Sequence, residues 1–302
     1  MRDCDSNEAG SLAHRLSKPI CPLTDTERAT LDAVIEEYPG LPVMAWWRVP
    51  EIILLRRVPM VPPILDLGCG DGRMAQVIGA GRETIAVGLD HSLRDTQRAR
   101  RRGAHRLILR ADLRYPLPIR DGAVATVVSN SVFEHVAGID ETFVEIRRVL
   151  KAGGRLVFTV PSEHLNAMLR WPRHLERLMG HSAARRWQRW WDDKIAHVNL
   201  GGEPYWRRLL DESGLRLIAC RPMLGPRIIN QFERWQLLHN LGVGRVNVGN
   251  GLRALTEGPA RIGWRRPISL LETRTRRRIE DLLEGEPCDP GANLLLVADR
   301  PA

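Results

Sequence analysis

The stretch Ile64–Arg73 reads ILDLGCGDGR. A short apolar run holding one acid, Asp66, is followed by glycines at alternate positions, Gly68, Gly70 and Gly72. Such a run, bounded by glycine, reads as a buried strand. Glycine tolerates positive φ and lets another molecule approach the backbone closely. The spacing therefore predicts a ligand on a strand-to-helix turn. A dinucleotide fingerprint needs GxGxxG, and its third glycine position holds Arg73 here. The phosphate-binding P-loop fails too, because no GK[ST] follows. What remains is DxGxGxG. The Asp66 carboxylate would repel a phosphate and suits a cationic group, such as the ammonium of an amino acid.

Outward from this turn, strands alternate with helices. Strands are expected at 64–68, 84–90, 106–112, 123–130 and 155–161, with helices at 73–80, 92–103 and 139–150 between them. That alternation predicts a parallel sheet covered on both faces. A helix at 203–214, a strand at 215–222 and a final strand at 292–300 follow. Two segments interrupt the pattern, 162–203 and 223–290, the second with helical pieces near 228–241 and 268–284. Before the sheet, residues 1–22 are expected to be disordered, since they are polar and show no periodicity. Residues 23–60 form a helical cap, with helices at 23–38 and 45–58 and Pro50 in the first turn of the second.

Two further acids sharpen the ligand. Asp90 ends the second strand, 18 residues after Gly72, where a carboxylate can accept both ribose hydroxyls. Asp112 ends the third, where it could accept from an adenine amine with the Leu113 N–H nearby. Helix capping is the competing role for both acids. Three carboxylates at the ends of adjacent strands describe a nucleoside with a positive, phosphate-free tail, and S-adenosylmethionine fits.

With these residues in view, the chain resembles the class I S-adenosylmethionine-dependent methyltransferases, of the small-molecule, type 11-like group. The resemblance runs from about 64 to 222 and resumes at 292–300. It rests on DLGCGDG (66–72), GLDHS (88–92), ADLRYPLP (111–118), SNSVFEHV (129–136) and RRVLKAGGRLVFTVP (147–161). It implies a Rossmann-like seven-stranded α/β sheet, order 3-2-1-4-5-7-6 with the last strand antiparallel, in a domain spanning 61–302. The segments 162–203 and 223–290 would be lid insertions. It also implies a cofactor site of Asp66, Gly68, Cys69, Gly70, Gly72, Asp90, His91, Asp112, Leu113 and Asn130. In it, Asp66 contacts the ammonium, Asp90 the ribose, Asp112 and Leu113 the adenine, and Asn130 lies near the methionine carboxylate. Cys69 reads as a small filler rather than a reactive thiol.

Methyl transfer from a sulfonium is an in-line displacement whose main demand is to hold the acceptor at ~3 Å. A base helps when the acceptor is a hydroxyl or an acidic carbon. The candidates are His135, just after the fourth strand, and His197, in KIAHVNLGGEPYW, with Glu134 to orient a histidine. For His135 a capping or packing role stands beside the catalytic one. Tyr205 and Trp191 are candidate acceptor contacts, with ordinary core packing as their alternative.

Composition bounds the rest. No apolar run reaches the ~18 residues of a membrane span, and the start has no apolar core like that of a signal peptide. Five scattered cysteines without a CxxC pair argue against a zinc site or disulfide framework. They fit a cytoplasmic protein, and no metal is expected. The net charge of +9 rests almost wholly on arginine, with only three lysines, which points to compositional bias before a polyanion partner. RRWQRWW (185–191) could stack bases, bind an anionic acceptor, lie at a membrane surface, or dock with tryptophan inward and arginine outward. The expected acceptor is a small molecule: a natural product, quinone, isoprenoid or lipid or sugar precursor. An RNA methyltransferase or nucleic-acid-binding protein is the alternative. Against it, the chain reads SNSV where base methylation would want an NPPY-type tetrapeptide. A pseudoenzyme acting as a partner subunit is a third reading.

Overall fold

The computed structural model describes residues 2–38, 42–79, 85–240, 242–243, 246–248, 251, 265–285 and 289–302. Seven strands form one sheet: β1 (Ile64–Leu67), β2 (Ile85–Asp90), β3 (His105–Arg110), β4 (Val124–Asn130), β5 (Leu150–Pro161), β6 (Arg216–Met223) and β7 (Asn293–Asp299). Their order is β3-β2-β1-β4-β5-β7-β6. The first five are mutually parallel, and β7 runs antiparallel to both its neighbours. This is the order the resemblance implied. β1 is buried along its whole length and β7 nearly so, as near-continuous apolar strands covered on both faces must be.

The helices follow local chemistry. Ser92 caps the N-terminus of α5 (Leu93–Arg102), and Gly103, in the left-handed region, ends it. Helix α6 (Ile139–Val149) buries Ile139, Phe143, Ile146 and Val149, a helical stripe, against the sheet. It shares a core with α10 (Glu203–Glu212). The short α4 (Arg73–Gly79) runs from the glycine turn. The opposite face is covered by N-terminal helices α1 (Arg2–Ser17), α2 (Asp25–Glu37) and α3 (Pro42–Arg57), and by the two insertions. The first insertion folds as α7 (Leu165–Met168), α8 (Trp171–Met179) and α9 (His181–Ile195). The second contributes α11 (Pro226–His239) and α12 (Arg265–Leu283). Its remaining expected stretch lies largely outside the described residues.

Three expectations need correction. Residues 2–17 are helical rather than disordered. Leu12 and Leu16, one turn apart, are buried together with Ile20, and that pair is enough of an apolar stripe to dock a helix whose other faces are polar. Arg57 then donates to the carbonyl oxygens of Lys18 and Pro19 and fixes the exit. Pro50 lies inside α3, not in its first turn. Val49, Ile52, Ile53, Leu54 and Leu55 around it are all at most 1% exposed, and burial on that scale outweighs the few kcal/mol a mid-helix proline costs. Finally, β5 begins at Leu150, so residues 151–154, outside the strand expected at 155–161, already belong to it.

Of the readings of RRWQRWW, the docked helix describes its packing. Trp191 is buried in the core and stacks on Trp187 with ring centroids 5.5 Å apart. Arg185, Arg186 and Arg189 face outward, although Trp190 is exposed as well.

Candidate functional site

At the carboxyl ends of β1, β2, β3 and β4 the loops open on a cavity of about 470 Å³, within the range of small-molecule sites. Gly68, Asp90, His91, Asp112, Leu113, Val132 and His135 are among its lining residues. The glycine turn is built as its sequence demands. Gly68 has φ +72°, and a Cβ there would sit 2.4 Å from a Val132 methyl. Gly70, at φ +53°, faces open space. The Gly70 N–H donates to Asp90 Oδ2 (2.9 Å), and the Ser92 N–H to Asp90 Oδ1 (2.8 Å). Asp90 is therefore locked in place by two backbone donors, with further lone pairs left to accept from a ligand. Asp112 is gripped by the Arg114 guanidinium (2.6 Å), which holds its carboxyl down at about 2. Leu113 is nearly buried and His91 is exposed.

Other predicted residues are placed differently. Asp66 is not among the cavity-lining residues. It is buried and accepts from His105 Nε2 at 2.9 Å. The ring reaches it across β2 because position 88 is glycine: a Cβ there would lie 2.7 Å from the His105 ring. Cys69 is buried with Ala99 and Ile108, and burial, with Asp66 and Asp90 nearby, pushes its thiol far above the ordinary range. It packs as a small buried side chain within the turn.

Asn130 also turns away from the cavity, into a buried polar network. Its Oδ1 accepts from Arg48 (2.9 Å) and its Nδ2 donates to Thr159 (2.7 Å). At the centre is Glu51 of α3, fully buried. It accepts from Arg48 (2.6 Å), Ser131 (2.8 Å), Thr159 (2.9 Å) and Asn293 (2.8 Å). Burial alone would raise the Glu51 carboxyl, but Arg48 and the hydroxyl donors hold it below its usual value. The network fastens the N-terminal cap onto the ends of β4, β5 and β7. Sequence reading passed over it, though two charges inside the apolar run WWRVPEIILL (46–55) were a signal.

The catalytic candidates come together. The rings of His135 and His197 lie 5.1 Å apart, and one donor atom from each, with one from Glu134, fall within 4.8 Å of one another. His135 Nδ1 donates to the Ala196 carbonyl at 3.1 Å. The loop carrying His197 is laced to the turn carrying His135. The Val198 and Asn199 N–H groups donate to the Glu134 carbonyl (2.7 and 3.1 Å). Asn199 Nδ2 donates to the carbonyls of Phe133 and Val136 (2.8 and 2.7 Å). Burial, then the neighbouring His135, pushes His197 down to about 4. Burial pushes the Glu134 carboxyl up to about 8. Tyr205 does not line the cavity but donates to Asn199 Oδ1 (3.2 Å), and so braces this loop. Trp191 belongs to the core rather than to the cavity wall. Among the described residues no helix is long and apolar enough to cross a membrane.

Residues 65–158 match the family described as a methyltransferase domain. A malonyl-[acyl-carrier protein] O-methyltransferase of Geobacter sulfurreducens is 36% identical over 101 residues, 32% of this chain and 38% of that one. An uncharacterized 37.1 kDa protein in a transposon of Streptomyces fradiae is 36% identical over 104 residues, 32% of this chain and 29% of that one. The match thus spans well under half the length of these relatives. Among solved structures, geranyl diphosphate methyltransferase in complex with S-adenosylmethionine superposes with a TM-score of 0.51 at 17% identity, covering 95% of this chain and 94% of that one. A Thermotoga maritima S-adenosylmethionine-dependent methyltransferase does so with 0.51 at 14% identity, covering 91% and 99%. These likenesses show the fold: a class I methyltransferase sheet.

Proposed function

We propose that the chain methylates a small-molecule acceptor, using S-adenosylmethionine as donor. The observation that carries this reading is the set Gly68, Asp90, Asp112 and Leu113 on one cavity, beside a turn whose three glycines all have positive φ. Asp90 would hold the ribose, since its carboxylate is already oriented by Gly70 and Ser92. Leu113 and Asp112 would hold the adenine, with Arg114 orienting the Asp112 carboxylate. His91 would flank the nucleoside. The buried Asp66 would act through the turn it supports and not by direct contact. When bound, the cofactor supplies a methyl group already activated on sulfonium, so the protein's task is alignment and exclusion of water.

His135 lines that cavity, with Glu134 and His197 beside it, and in this reading that is the acceptor side, where a departing acceptor proton would be received. The small-molecule class is supported by the size of the cavity, by the packing of the basic, aromatic segment 185–191 as a docked helix, and by the curated relative named for malonyl-carrier O-methylation.

Calorimetric titration with S-adenosylmethionine and S-adenosylhomocysteine tests the cofactor. Wild type is expected to bind both in the micromolar range, and Asp90→Ala to lose at least about tenfold, ~1.4 kcal/mol. Folded wild type that binds neither would overturn the reading. An acceptor screen with turnover on RNA alone would overturn the small-molecule part.

A further inference from the structure

The cluster at the acceptor side holds more unsatisfied polarity than a proton acceptor needs. Glu134 is 1% exposed, and its Oε2 has no hydrogen-bond partner among the described residues. His197 Nδ1 is buried and likewise has none. His135 Nε2 lies 3.9 Å from Glu134 Oε1, too far for a hydrogen bond. A buried carboxylate oxygen left unpaired costs a few kcal/mol, and here it stands beside two imidazoles that do not bond to it. Three groups that approach one another without pairing share a missing partner.

We propose that Glu134, His135 and His197 bind a divalent transition metal of the zinc class, with an open position toward the acceptor cavity. The donor set is two imidazoles and one carboxylate, which suits Zn²⁺ and similar borderline metals rather than Mg²⁺ or Ca²⁺. Donors around a tetrahedral zinc lie roughly 3.3 Å apart, given bonds of ~2.0–2.2 Å. From a mutual separation within 4.8 Å, each would close by about 1 Å or less.

The surroundings are those of a ligand set. His135 Nδ1–H is spent on the Ala196 carbonyl, which fixes the tautomer that leaves Nε2 as a free lone pair. Ala196 itself sits at φ +48°, an uncommon conformation for a residue with a Cβ, and this aims its carbonyl at the ring. Backbone and Asn199 bonds tie the two segments together, so the three donors are presented by one braced unit. His135 also lines the cavity, so an acceptor oxygen could take the open position. A metal there polarises that oxygen and lowers its pKa as a Lewis acid. This role rests on the proposed methyl transfer, whereas the site itself does not.

The test is titration of chelator-treated protein with ZnCl₂ by calorimetry, and with Co²⁺ read by its visible absorption. Wild type is expected to bind one equivalent. His135→Ala, His197→Ala and Glu134→Gln should each lose at least about tenfold in affinity, the loss that even an outer-shell partner's removal causes. Far-UV circular dichroism reports that each variant is folded, and wild type is titrated with S-adenosylhomocysteine alongside. Of the three, Glu134→Gln is isosteric and keeps the fold accessible. Stoichiometric zinc binding that all three variants weaken supports the site. No such binding by wild type, or equal binding by folded variants, overturns it. Zinc binding by a wild type that ignores S-adenosylhomocysteine supports the metal site and overturns the methyltransferase reading instead.

Discussion

Replacing Arg48 by methionine removes one half of an ion pair that is out of water. Glu51 is fully buried, and the guanidinium sits 2.6 Å from it. At an effective dielectric of about 20 their attraction is roughly 6 kcal/mol, set against the desolvation of both groups. The neutral donors Ser131, Thr159 and Asn293 would remain on Glu51 but cannot balance its charge. Breaking such a pair from one side costs about 3–5 kcal/mol. With about 2–4 °C per kcal/mol for chains of this size, the melting temperature should fall by roughly 6–20 °C. Adding Glu51→Gln to Arg48→Met removes the stranded charge and should recover about 1–3 kcal/mol. The pH dependence has a defined sign. The folded Glu51 carboxyl lies below the ordinary carboxylate value of about 4.5. Its stabilisation is therefore complete above about 4.5 and is lost as the pH falls through the lower folded value. In Arg48→Met the carboxyl loses its partner, burial favours its protonated form, and the deficit relative to wild type should shrink in acid. Urea melts at pH 7 and pH 3.5 measure all of this. A deficit below about 1 kcal/mol at pH 7, or one that ignores pH, would refute the reasoning.

Two glycines give sharper steric predictions. Gly68→Ala places a methyl 2.4 Å from Val132 and forces alanine to φ +72°. It should cost about 2–4 kcal/mol by urea melt and weaken S-adenosylhomocysteine at least tenfold. Val132→Ala should return the packing share and not the conformational one. Gly88→Ala drives into the His105 ring at 2.7 Å, so it should break the Asp66 contact and cost about 1–3 kcal/mol. In a His105→Ala background the same substitution should cost clearly less, and additive costs would show that the ring is not held there by the missing side chain.

The sheet was legible because its strands announce themselves locally. ILDL, TIAVGLD and ANLLLVADR are apolar runs bounded by turn residues, and burial on both faces leaves such sequences no other use. The lining of the cavity by Asp90, Asp112 and Leu113 was legible for the same reason, since each lies at or just past a strand's carboxyl end, where the chain must leave the sheet. What escaped reading depends on contacts between distant positions. Nothing near Asp66 reveals that His105 reaches it over Gly88. Nothing near Asn130 reveals that α3 delivers Arg48 to its side chain. The N-terminal helix was missed because, among its described side chains, the buried stripe is only Leu12 and Leu16, too few to stand out until a surface exists for them to meet.

The position of β7 bears on how the chain is made. Among the described residues strand β6 has no sheet neighbour except β7, and β7 lies between it and β5. During synthesis, residues 216–223 therefore emerge with no seat in the sheet, and β5 carries an unpaired edge until residues 293–299 have also left the ribosome. At ~5–20 residues per second that wait lasts on the order of several seconds. Throughout it, two apolar strand edges are open to pairing with other nascent chains. The two helices of the second insertion, α11 and α12, appear during that interval and pack on the sheet's other face. They give the half-made domain something to bury before its last strand arrives.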